Sequence, residues 1–165
     1  MDLTDTIAPD SSQLDAVDLL SGPRVFTIES VSKGNSEQPV NIHLAEFPRP
    51  WRPGKSMRRV LVSVWGAESA AYVGRQLLLF CDTDVVFGGM KVGGVRIAAL
   101  SDLAEPKRVP LIVTRGKSAT YLVLPLHPDH LTNPDQLRAL WKATTDPDTR
   151  KRIEDRVRAI TEEQA

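Results

Sequence analysis

Met57, Val60, Leu61 and Val64 fall at i, i+3, i+4 and i+7, flanked on both sides by apolar segments that alternate or run in short β-branched stretches. This lone helical period between strand-like segments constrains the fold most. An amphipathic helix and a half-wet sheet cannot bury their apolar sides alone, so the helix must lay its stripe on the sheet. Ser56 is placed to cap the helix and Gly66 to end it. Arg59 then lies nearly opposite the stripe and faces water, with Arg58 on the flank.

Two strands precede the helix. Residues 24–33 are rich in β-branched side chains, and Gly34-Asn35-Ser36 turns the chain into Val40-Asn41-Ile42-His43-Leu44, whose alternation leaves one face wet. After the helix, strands are expected at 75–83, 90–100, 109–115 and 118–125. Short strands bounded by Gly and Pro around one helix predict a mainly β fold, a small OB-like β-barrel with one embedded helix. That fold usually has three strands ahead of the helix, so 24–33 would have to bend into two hydrogen-bonded halves. Beyond Pro125 the period changes again. Asn133 or Pro134 opens a helix with Leu137, Leu140 and Trp141, and Asp146-Pro147 opens another over 147–161 with Ile153, Val157 and Ile160 on a thin stripe. These C-terminal helices should dock on the barrel or on another subunit, a route to a homo-oligomer.

The organisation read from these patterns is an acidic flexible arm over 1–22, a core over 23–126 and a helical extension over 127–165. The 165-residue chain has no net charge, which hides an uneven distribution. The arm carries five acids and no base, whereas the core carries fourteen bases and eight acids. A basic core beside an acidic tail attracts phosphate. The arm offers only Leu14, Val17, Leu19 and Leu20 for burial, with a short helix over 12–20 an option. The lone Cys81 sits in an apolar run and reads as a buried thiol. No run approaches the length needed to span a bilayer and the N-terminus lacks a signal-peptide pattern, so a cytosolic protein without a membrane partner is expected.

The densest basic constellation is Arg49, Arg52, Lys55, Arg58 and Arg59, five cations within eleven residues around the start of the helix. Backbone N–H groups and the helix dipole attract an anion there, and the interleaved Trp51 could stack on an unpaired base. The competing reading has Trp51 covering the end of the barrel, with the arginines paired to Glu46 or Glu68. Lys91, Arg96, Arg115 and Lys117 form a second set on predicted strands and turns that would extend a groove. His43 and Phe47 share the wet side of their strand. Gly54-Lys55-Ser56 and Gly116-Lys117-Ser118 lack the earlier glycine of a phosphate-binding loop, having Arg49 and Leu111 in that place. His127-Pro128-Asp129-His130 reads as a loop, not a metal site. No nucleophile, carboxylate pair or cofactor signature stands out, so binding is the expected class and neither enzyme activity, metal nor cofactor is.

The order of a helix ending in Trp65-Gly66, then Tyr72-Val73-Gly74-Arg75, Leu77 to Cys81, Phe87-Gly88-Gly89 and Val95-Arg96-Ile97, resembles a family of small phage and prophage proteins of the actinobacteriophage type. Glu46-Phe47-Pro48-Arg49-Pro50 and Met57-Arg58-Arg59-Val60-Leu61 belong to the same likeness, which covers about residues 23–126. Members are mostly uncharacterised or called single-stranded DNA-binding. The resemblance implies single-stranded DNA binding without strong sequence preference, in phage replication or recombination in the bacterial host cytoplasm. The alternative is a protein-interaction or virion-assembly module.

Overall fold

A computed structural model describes residues 2–7, 10–87, 89–91, 93–114 and 116–164, and their side chains other than those of Asp5, Val86, Phe87, Lys91, Val113, Thr114, Lys117 and Ala143. A single helical turn, α1 (Thr4–Ile7), and a 3₁₀ turn over Ala16–Leu19 lead into β1 (Arg24–Lys33). β1 turns back as β2 (Val40–Leu44), the antiparallel pair expected, and Asn35 Oδ1 holds the turn by accepting the N–H groups of Glu37 and Gln38. α2 (Lys55–Trp65) follows. Then come β3 (Gln76–Asp82), a small ribbon of β4 (Val86–Phe87) and β5 (Met90–Lys91), and β6 (Gly94–Leu100). The stretch expected as one strand over 90–100 is two, because Gly93 at φ 78° bends the chain between them. β7 (Lys107–Thr114) and β8 (Lys117–Pro125) form a hairpin, and α3 (Pro134–Ala143) and α4 (Pro147–Glu163) end the chain.

Six strands make one sheet in the order β2-β1-β3-β6-β8-β7, antiparallel throughout except for the parallel pair β6 and β8. The fold is mixed α/β, built on this sheet with three longer helices, and the sheet is open where a barrel was expected: among the described residues no ladder joins β2 to β7. Pro110, in the middle of β7, has no N–H to donate, which suits a strand at an edge. β1 does divide into two halves. Arg24 to Thr27 pair with β3, whereas Ile28 to Lys33 pair with β2, with an irregularity between Ile28 and Ser30.

α2 buries Met57, Val60, Leu61 and Trp65 against one face of the sheet, in a core with Phe26, Ile28, Ile42, Leu79, Ile97, Leu111 and Val123. Its cap is Gly54 rather than Ser56: the Arg58 N–H reaches the Gly54 carbonyl, which places Ser56 inside the first turn. Gly66 ends it at φ 89°, a backbone conformation other residues adopt only with strain. Trp65 Nε1 donates to the Ser101 carbonyl at 2.8 Å, tying the helix to the end of β6.

The opposite face of the sheet is covered at Val25, where α3 and α4 pack through Leu137, Leu140, Ile153 and Ile160 together with Leu131 from the connection before α3. Both N-caps are those read from the sequence, with Asn133 accepting the Asp135 N–H and Asp146 that of Thr149. A buried polar joint holds the layers together. Gln136 Nε2 donates to the Val25 carbonyl at 2.8 Å, and Gln76, 1 % exposed, donates to the Gln136 carbonyl at 3.0 Å.

Residues 11–20 of the expected arm are not free. Leu14 and Leu19 are each 2 % exposed in the main core, the Leu14 N–H donates to the Pro50 carbonyl at 2.8 Å, and residues 11–20 lie as a strap on the molecule. Two leucines five residues apart are enough to seat a short segment when a cavity awaits them, even in an acidic context.

Leu61 is 2 % exposed on the buried stripe of α2. Leu61→Asp should lower stability by about 3 kcal/mol or more, because a carboxylate without a partner would enter the core. Thermal unfolding measures it, and an unchanged melting temperature would contradict the packing.

Candidate functional site

The segment 48–53 runs beside β2 and delivers the start of α2. Trp51 exchanges both backbone hydrogen bonds with Ile42 at 2.8 Å and, at 2 % exposure, fills the core. It therefore has no face to offer a base, which corrects its assignment as a stacking residue: the two prolines beside it and the bridge to β2 turn the indole inward. Phe47 is half-buried between the guanidinium groups of Arg24 and Arg49, at 5.8 and 5.0 Å. His43 is half-buried and bonded to Ser32 Oγ.

The cations around α2 separate into two groups. Arg49 holds the strap: it donates to the carbonyls of Gln13 and Ser11 and pairs with Asp18 at 2.8 Å. Arg52 donates to Asn41 Oδ1 and Ser12 Oγ, each at 2.8 Å. Both are structural in large part. Lys55 and Arg59 are exposed with no ion-pair or hydrogen-bond partner among the described residues. Arg58 is half-buried, and its Nη1 is buried without a hydrogen-bond partner among the described residues. Neither Glu46 nor Glu68 pairs with this cluster; the Glu46 carboxylate accepts the Thr27 N–H at 2.7 and 3.0 Å.

Two grooves flank the helix start and share Lys55. The first, about 380 Å³, lies between the first turn of α2, the strap at Gln13–Ala16 and the chain from Gly93 to Arg96, with Arg52 and Lys55 on its rim. It brings together Arg52, Lys55 and Arg96 from the two predicted sets. Arg96 pairs with Asp82 at 3.3 Å and lies 5.9 Å from the Tyr121 ring centre. The second groove, about 560 Å³, runs between α2 and β7 and is lined by Lys55, Arg58, Arg59, Val62, Val109 and Pro110 among others. Arg115 lies outside the described residues, as do the side chains of Lys91 and Lys117.

Away from the helix, His127 contacts Asp129 at 3.1 Å and Arg152 at 2.8 Å, and no group of metal-binding side chains occurs among the described residues. Among the described residues no helix is long and apolar enough to cross a membrane. Set beside known proteins, the chain matches no family model, no curated protein and no solved structure.

Sequence reasoning placed the basic cluster but not the division of labour within it. Leu14 and Leu19, two of the apolar residues of the acidic segment, were the signal for the strap; nothing local marks Asp18 as the partner of Arg49.

Arg49→Ala should unlatch the strap, leaving the Asp18 carboxylate at 9 % exposure without its cation. A loss of about 2 to 4 kcal/mol is expected. Hydrogen exchange should speed up over residues 11–20 first, and unaltered protection there would show that Leu14 and Leu19 suffice alone. Burial pushes the Tyr121 hydroxyl up to about 12, with Arg96 lowering it and Asp82 raising it. The unfolded chain ionises near pH 10, so this contribution to stability is complete below pH 10 and is lost as pH rises from 10 to 12. Denaturant titrations of wild type and Tyr121→Phe across that range should converge, and a constant gap would refute it.

Proposed function

We propose that this protein is a single-stranded nucleic-acid-binding module, with DNA favoured, that follows the phosphate backbone across the start of α2 without strong sequence preference. The observation that carries the reading is electrostatic. Arg49, Arg75 and Arg96 are each engaged with an aspartate, whereas Lys55 and Arg59 project from one helix with no partner among the described residues, beside Arg58 with its orphaned Nη1. Uncompensated cations beside a groove at a helix N-terminus attract phosphate.

The strand order supports an OB-like reading of the fold. β1, β3 and β6 form an antiparallel meander, β6 pairs in parallel with β8, and β7 completes the hairpin, the strand sequence of an oligonucleotide-binding barrel. On that correspondence β2 and α2 are an insertion between the first two strands, and the first groove lies against the start of the third, one of the strands on which such domains bind their ligands. With Trp51 in the core, affinity would come from phosphate contacts more than from stacking and would depend steeply on salt. A place in phage or prophage replication or recombination, in the host cytoplasm, accords with the resemblance of residues 23–126, and binding rather than catalysis is the activity.

A protein-interaction or assembly role is the second reading. It is favoured by exposed Ile112, Leu122 and Leu124 on the β7–β8 hairpin and by Trp141, 37 % exposed on α3, which also offers a surface for self-association through the C-terminal helices.

Lys55→Glu reverses a charge that has no partner among the described residues, so stability should stay within about 0.5 kcal/mol of wild type. Fluorescence anisotropy should show weaker binding to a single-stranded oligonucleotide, and the salt slope should fall by at least roughly 0.7. Wild-type affinity and slope would remove the helix start from the site, and light scattering that finds stable dimers without any oligonucleotide binding would favour the second reading.

A further inference from the structure

We infer that the groove between α2 and β7 is a second phosphate subsite, so that the ligand is a strand long enough to cross α2 from the first groove into this one. The inference rests on the nucleic-acid reading above and specifies the path. Among the described residues that line it, Lys55, Arg58 and Arg59 are cationic and none is a carboxylate. Arg58 Nη1 is closed to solvent and has no hydrogen-bond acceptor among the described residues, whereas the rest of this half-exposed side chain lines the groove. The guanidinium charge is therefore uncompensated, and a phosphodiester lying in the groove would balance it through the part of the side chain that faces the groove.

The rest of the groove is Val62, Ser63, Val109 and Pro110, with Val62 half exposed on the helix surface. An apolar wall under a cationic rim matches a nucleotide, whose sugar and base present apolar faces below a charged backbone. It fits inorganic phosphate poorly. Lys55 lines both grooves, and Arg58 and Arg59 stand one turn further along the same helix, a rise of about 5.4 Å. That step is comparable with the spacing of neighbouring phosphates on an extended strand, so one backbone can engage both grooves without bending sharply.

The test uses the full chain and fluorescence anisotropy with oligothymidines of about 4 and about 16 nucleotides, spanning the site sizes of such domains. Arg58→Met keeps an unbranched apolar stem in place of the arginine methylenes and removes the guanidinium. Its affinity for the long strand should fall about tenfold and its salt slope by roughly 0.7, with short-strand binding unaltered. Its melting temperature should be unchanged or raised, since an unpartnered donor leaves the interior. Arg59→Glu, at an exposed position, should weaken long-strand binding likewise. Wild-type affinity and slope in both variants would overturn the second subsite while leaving the first groove in place. A lowered melting temperature for Arg58→Met, with Arg59→Glu binding normally, would make Arg58 structural and also overturn it. Failure of the wild-type protein to bind either strand would overturn the underlying reading instead.

Discussion

The architecture depends on the changeover in the middle of β1. A ten-residue strand serves two partners in succession, β3 through its first four residues and β2 through the remainder, and the buried backbone at the junction must stay hydrogen-bonded through the exchange. Glu46 makes this feasible: its carboxylate accepts the Thr27 N–H while the Thr27 carbonyl accepts the N–H of Ala45. The next residue, Ile28, bonds to Arg75 and Gly74. From this junction β2 diverges with its bridge to Trp51, and that bridge sets where α2 begins. The cationic ridge therefore stands on a hydrogen-bond handover four residues long.

Burial decides which basic residues are available to a ligand. The cluster around residues 49–59 looks uniform as a string of charges, yet Arg49 and Arg52 reach back to the strap and β2 while Lys55 and Arg59 project outward. Arg49 is held by an aspartate, two carbonyls and an aromatic face, so removing it would disturb the fold before it touched any ligand. The acidic N-terminal segment meets the basic core, but through an ordered contact with Asp18 beneath two buried leucines. Its acids are thereby partly used, and a tail sweeping over the basic face is a poorer description than a strap that forms one wall of a groove.

The same economy applies to aromatic side chains. Nine aromatics serve a chain of 165 residues, and Phe26, Trp51, Trp65 and Tyr72 are buried. Three nearer the surface meet cations of the chain itself: Phe47 with Arg24 and Arg49, Tyr121 with Arg96, and Trp141 with Arg150 at 4.1 Å. A ligand at the start of α2 would meet charge and aliphatic surface.

Local sequence determined most of the elements: the stripe of Met57, Val60 and Leu61 made α2, the β-branched run and its Asn-containing turn made β1 and β2, and Asn133 and Asp146 set the starts of α3 and α4, because caps, turns and amphipathic faces are properties of neighbouring residues. It also located the basic cluster. Whether the sheet closes could not be read there, since strand order and the parallel pairing of β6 with β8 join residues some twenty-five positions apart. Nor could the roles within the cluster. Trp51 faces inward because Ile42 takes its backbone, Arg49 is engaged because the strap brings Asp18 to it, and Gln76 meets Gln136 across sixty residues. Each of these depends on what a distant segment places next to a side chain, which only the folded chain decides.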